Sequence, residues 1–232
     1  MRLLHVTDLH FNRRQFDWLY RQRGNADAIC ISGDLLCSRL DAPLSKPEQA
    51  RWISAWLQAF DTPLFLCSGN HDLIEADAPD EIDLDALFAG YDDDSEDFLD
   101  TTEPTNDPEA RWLRDIGNPH VHGDASITRL DDITIGCIPY AYDDYSRYAD
   151  CHVLLHHLPP RGSAQALTPS GDDWGCERFK IQLQHGLLKP GHILCGHVHA
   201  PATRQSTIGA TLVTNPGATP GATMPNHLFL DI

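Results

Sequence analysis

Apolar residues along the chain fall into short, dense runs, and their length and β-branched content predict strands. These runs are RLLHV (2 to 6), AICIS (28 to 32), LFLCS (64 to 68), ITIGCI (133 to 138), HVLLH (152 to 156), HILC (192 to 195), TLVTN (211 to 215) and HLFLDI (227 to 232). Between the first three the period lengthens. Ser45, with Glu48 three places later, gives a capping-box signature, and Trp52, Ile53, Trp56, Leu57 and Phe60 then share one helical face. Phe16, Leu19, Tyr20 and Arg23 mark a weaker helix before AICIS, and residues 174 to 187 a third whose Phe179, Ile181 and Leu183 alternate and leave the period open. The first half therefore reads βαβαβ, which predicts parallel pairing, and the second half is richer in strands.

Composition adds limits. With 232 residues, 41% of them apolar, the chain can bury a substantial core, and no linker or internal repeat divides it, so one domain over residues 1–232 is expected. MRLLHVTDLHF is too short and too polar for a signal peptide or spanning helix, which points to a cytoplasmic protein with no membrane partner. Seven cysteines form no CxxC pair, and Cys30, Cys67, Cys137 and Cys195 lie inside apolar runs. They read as buried thiols in a reducing compartment.

The net charge of −17 is local. Residues 75 to 109 hold fifteen acids and no Lys or Arg, leaving 19 acids against 17 bases elsewhere. This stretch reads as a solvated acidic insertion, with a short helix at 82 to 88 left open. DDDSED lacks the central glycine and terminal glutamate of a calcium loop. An acidic run without a basic stripe disfavours duplex nucleic acid.

The residues just past the strands carry the chemistry, because open α/β sheets gather functional groups beyond strand carboxyl ends. RLLHV leads to Asp8 and His10, AICIS to Gly33 and Asp34, and LFLCS to Gly69, Asn70, His71 and Asp72. HVLL ends in His156 and His157, and HILC leads to Gly196, His197 and His199. Five strand ends offer Asp, Asn or His and no Lys, Glu or Arg. Such donors suit divalent cations, and a two-metal site needs one small carboxylate bridging centres about 3.5 to 4 Å apart.

In this order D-x-H, GD, GNHD, H and GHVH resemble the calcineurin-like metallophosphoesterase superfamily, over Asp8 to His199, with TDLHF and GNHD most like its bacterial phosphodiesterase branch. The resemblance implies a four-layer α/β/β/α sandwich of two facing mixed sheets flanked by helices. It implies that Asp8, His10, Asp34 and His199 bind a first metal, with Asp34 bridging, and that Asn70, His156 and His197 complete a second. Of the adjacent histidines His156 is favoured, because it directly ends VLL. His71 is implied as the group that protonates the departing alkoxide, and the loop NPGA (215 to 218) as structural. His5, His120, His122, His152, His157, His185, His192 and His227 are left without a metal role.

The implied reaction is hydrolysis of a small phosphodiester or phosphomonoester, such as a nucleotide, by a metal-bridging hydroxide. Two divalent ions serve, with Mn, Fe, Zn or Ni all compatible and Mn favoured in vitro. A nuclease of the same superfamily and a non-catalytic scaffold are the alternatives. One departure stands out: some branches carry an Asp three residues after the bridging one, where this chain has Cys37, so orientation of His71 falls to another acid, with Asp72 the candidate.

Overall fold

Five consecutive residues of AICIS are fully buried, a state a strand reaches only when both its faces are covered. The computed structural model describes residues 1–40, 42–74, 110–114, 116–140 and 144–232, and shows what covers them. The acidic insertion and the open helix at 82 to 88 lie outside the described residues.

The first sheet has the order β11 (Leu228–Asp231), β1 (Arg2–Val6), β2 (Ala28–Ser32), β3 (Leu64–Cys67) and β4 (Val121–His122). β1 to β4 run parallel and β11 antiparallel to β1. The second sheet has the order β5 (Ile127–Leu130), β6 (Ile133–Ile138), β7 (Val153–His156), β8 (His192–Leu194), β10 (Thr211–Thr214) and β9 (Gln205–Ile208). Its four central strands are parallel, and both edges are antiparallel.

Side-chain alternation divides the core into three layers. Leu4, Val6, Ile29, Ile31, Leu64 and Leu66 face helices α1 (Arg13–Arg21) and α2 (Lys46–Leu57). Leu3, Ala28, Cys30, Phe65 and Cys67 face the other sheet, where they meet Ile135, Cys137, Val153, Leu155 and Leu194. Leu154, Ile193 and Val213 turn outward to Phe179 of α3 (Glu177–Gln184) and to Tyr145 and Tyr148. The result is the expected helix, sheet, sheet, helix arrangement.

The predicted strands correspond to β1, β2, β3, β6, β7, β8, β10 and β11, within one residue at either end. β4, β5 and β9 leave no apolar run to read: β4 has two residues, and ITRL and QSTI alternate between exposed and half-buried positions. Phe60 comes after α2 instead of lying in it, yet packs on Trp56 at 4.5 Å between ring centroids. The third helix is shorter than expected, because residues 160 to 176 fold into a loop that pairs Pro160 with Cys176 and Leu167 with Asp173. All seven cysteines are free, five of them buried.

A polar link crosses the inter-sheet layer at His5. His5 of β1 meets the Ser32 hydroxyl of β2 at 2.8 Å and the Thr214 hydroxyl of β10 at 3.0 Å. Burial pushes its pKa down to about 3, although the Asp8 charge opposes this, so the ring is neutral and has one donor and one acceptor for two hydroxyls.

Candidate metal centre

The loops after β1 and β2 zip together, with the Asp8 N–H donating to the Gly33 carbonyl (3.0 Å), His10 to Asp34 (3.0 Å) and Phe11 to Leu35 (2.8 Å). To make these turns the backbone enters the left-handed region at Asp8 (φ 54°), His10 (42°), Asp34 (56°) and His197 (68°). Non-glycine residues cost free energy there and collect at functional sites. Gly69 and Gly196 permit the close approach. A Cβ on Gly69 would overlap the Asp34 carboxylate, and one on Gly196 the Thr7 hydroxyl.

Asp34 is the hub. Its Oδ1 accepts the His71 N–H at 2.9 Å, and its Oδ2 faces His157 Nε2 at 3.4 Å and His10 and His71 Nε2 at 3.8 Å each. Asp8 Oδ1 lies 3.3 Å from His199 Nε2 and 3.8 Å from His10 Nε2, and those two ring nitrogens are only 3.0 Å apart. Asn70 Oδ1 is 3.1 Å from His197 Nδ1. The turns after β1, β2, β3 and β8 therefore bring Asp8, His10, Asp34, Asn70, His71, His197 and His199 to one place.

His156 is not there, and this corrects the ordering read from the sequence. On β7 it shares a face with Leu154 and points outward, its ring 4.8 Å from that of Phe179. Both its nitrogens are engaged, Nδ1 with the Leu158 carbonyl at 2.7 Å and Nε2 with the Tyr145 hydroxyl at 3.4 Å, and burial pushes its pKa down to about 4. His157 shares the parity of Val153 and Leu155, which face the opposite sheet, and so its ring meets Asp34. Its Nδ1 donates to the Ser32 carbonyl at 2.8 Å, which turns Nε2 toward Asp34.

The donor set fits a cation. Buried Asp8 Oδ1 and His157 Nε2 have no hydrogen-bond partner among the described residues. Donors from Asp8, His10 and His199, from His10, Asp34 and His71, and from Asp8, Asp34 and His157 form three overlapping groups, each with its ligand atoms within 4.8 Å of one another. Burial favours the neutral acid at Asp34, but the charge of the neighbouring His157, with the His71 N–H, outweighs it and holds the carboxyl well below its usual range. Burial works against a charge on His157 too, yet Asp34 and then Asp8 raise it to about 9. The two buried carboxylates thus draw positive charge to the floor of the site. His197 is the contrasting case, lowered to about 4 by burial, then by His157.

Asp72 does not orient the His71 ring. It is buried, and its two oxygens accept the Leu36 N–H (2.8 Å) and the Gly69 N–H (2.8 Å), tying the turn after β2 to the turn after β3. Burial and the neighbouring Asp34 push its pKa up to about 8. His71 Nδ1 has no hydrogen-bond partner among the described residues, and burial lowers its pKa. Asn215 of NPGA holds the GHVH turn by donating to the Gly196 and Val198 carbonyls at 2.9 and 3.0 Å, a structural role.

Two clefts, of about 560 and 510 Å³, meet at His71 and His199. The first runs between residues 37–39 and 42–43 on one side and 218–221 on the other, the second past Asn70, His197 and Trp174.

Residues 1–201 match the calcineurin-like phosphoesterase family, and the chain belongs to it. It is accordingly a metal-dependent phosphoesterase, a hydrolase. The fold is similar to that of TT1561 of Thermus thermophilus, at 12% identity and a TM-score of 0.57, over 93% of this chain and 88% of that one. A metallophosphoesterase from Sphaerobacter thermophilus overlaps at 16% identity and a TM-score of 0.38, over 94% and 76% of the two chains. No curated protein matches the sequence. No helix among the described residues is long and apolar enough to cross a membrane.

Proposed function

We propose that the chain hydrolyses a small phosphoester, diester or monoester, with two divalent cations held around Asp34. Asp8, His10, Asp34 and His199 form the first ligand set, and Asp34, Asn70, His157 and His197 the second, with Mn, Fe, Zn or Ni all compatible with mixed N and O donors. The observation that carries this reading is the single carboxylate oxygen of Asp34 facing three imidazoles from three turns, at 3.4 to 3.8 Å. Cations bound there would acidify water and neutralise phosphate charge.

The chain's own residues supply order and a proton. The His71 N–H fixes Asp34 Oδ1, so that Oδ2 points into the centre. The Leu36 carbonyl accepts from His10 Nδ1 at 3.3 Å, and the Ser32 carbonyl from His157 Nδ1, so both rings present Nε2 inward. The His71 side chain is one-third exposed, lines both clefts and lies one residue beyond Asn70, within reach of a leaving oxygen. Its role is to deliver or hold the proton there. Seven unpaired cysteines favour a reducing compartment, in keeping with the cytoplasm.

The test is elemental analysis of the purified chain after chelation and Mn add-back, together with turnover of nucleotides, p-nitrophenyl phosphate and bis(p-nitrophenyl) phosphate. Two ions per chain are expected, with turnover that requires them, and loss of at least one ion in Asp34→Asn. A chain that takes up no metal and hydrolyses equally well without it would refute the proposal.

A further inference from the structure

Trp174 stands at the mouth of the second cleft with about half its surface (53%) exposed. Nothing about burial requires an indole there, yet its backbone is held firmly. Its N–H donates to the Ala166 carbonyl at 3.0 Å, and the preceding Asp173 accepts the Gly162 and Gly175 N–H groups at 2.8 and 2.9 Å. The segment is also tied to the chain beyond GHVH, where the Ala202 N–H donates to the Leu167 carbonyl at 3.0 Å. One side of the indole meets the His197 ring at 5.9 Å with a 55° tilt, and the remainder borders the space that Asn70 and His71 also line.

The rest of the lining indicates what that space accepts. Among the described residues it has no Lys or Arg to pair with a second phosphate or an acidic substituent. The hydroxyls of Thr168 and Ser170 bond each other at 2.8 Å, and Ser170 donates onward to Asp172 at 2.6 Å, so they serve the loop. A flat, uncharged ring is the chemistry left over. An aromatic face on a fixed backbone is a stacking surface that loses little entropy on binding.

We infer that Trp174 is a stacking platform for a planar aromatic ring on the substrate's leaving alcohol, as in a nucleoside or aryl phosphoester, an inference that rests on the phosphoesterase reading above. The ring lies against the indole while the leaving oxygen sits at His71, which borders the same cleft. Trp174 then sets specificity and takes no part in bond cleavage.

The experiment compares kcat and KM of the Mn-reconstituted chain, Trp174→Ala and Trp174→Phe on nucleoside, p-nitrophenyl and glycerol esters, monoesters with monoesters and diesters with diesters. The aromatic-to-glycerol ratio of kcat/KM should fall at least about fivefold in Trp174→Ala, through KM, and return to within about twofold in Trp174→Phe. A fall confined to nucleoside esters would identify a base as the ring, and one confined to p-nitrophenyl esters a simple aryl group. An unchanged ratio, or equal losses on aromatic and glycerol esters, overturns the inference. Absence of turnover on every ester would remove the phosphoesterase reading instead. Stacking is then decided by tryptophan fluorescence: saturable quenching by adenosine 5′-monophosphate, lost in Trp174→Phe, supports it, and no such quenching overturns it.

Discussion

His156 and His157 are neighbours with opposite tasks, and mutation should separate them. His157→Asn removes the nitrogen nearest the Asp34 oxygen, at 3.4 Å, and is expected to lose about one ion per chain with most of the activity. His156→Gln breaks contacts with Tyr145, Phe179 and the Leu158 carbonyl. It should lower stability by about 1 to 3 kcal/mol while metal content stays, read by urea unfolding beside elemental analysis. His71→Asn is expected to keep both ions and reduce kcat by about 10² to 10⁴. The sequence could not separate the two histidines. VLLHH sits on a strand buried on both faces, so no polar and apolar alternation marks which ring turns inward. By contrast Asp8, His10, Asp34, Asn70 and the GHVH pair were legible, because glycines and turn positions bracket them and leave one direction to go.

At the scale of elements, the site is a set of turns that hold one another. Asp72 is the fastener between two of them, and Asp72→Asn would turn an amide N–H₂ toward a backbone N–H that now has an acceptor. The expected result is a loss of about 1 to 3 kcal/mol in unfolding free energy, with a reduced kcat and metal still bound, checked by chemical denaturation and turnover of the same preparation. Strands flanked on both sides were readable as apolar runs, and α2 was readable from its cap, where the Glu48 carboxylate accepts the Ser45 N–H at 2.9 Å. The edges β5 and β9 were not, since a strand with one face in water needs few apolar residues. Nor does any local pattern announce the loop from 160 to 176, whose closing hydrogen bonds, from the Arg161 N–H to the Cys176 carbonyl and from the Cys176 N–H to the Pro159 carbonyl, join positions 15 and 17 residues apart, and which positions Trp174.

Across the whole molecule, the two sheets are joined by apolar packing and by the His5 link beneath the site. In the unfolded chain His5 takes up a proton below about 6.5, whereas in the folded chain it resists protonation down to about 3, so its contribution is complete above pH 6.5 and lost progressively as the pH falls toward 3. Between pH 7.5 and 5 this amounts to about 2 kcal/mol, at about 1.4 kcal/mol per pH unit below 6.5. Urea unfolding at the two pH values should show wild type losing about that much more than His5→Gln, whose amide still offers one donor and one acceptor to Ser32 and Thr214. Equal losses would place the acid sensitivity elsewhere. The left-handed backbone at Asp8, His10, Asp34 and His197 has a further consequence. A laboratory evolution campaign that rewarded heat resistance alone would drift toward glycine or asparagine at these four codons, and its fittest survivors would be sturdy proteins that no longer cut anything.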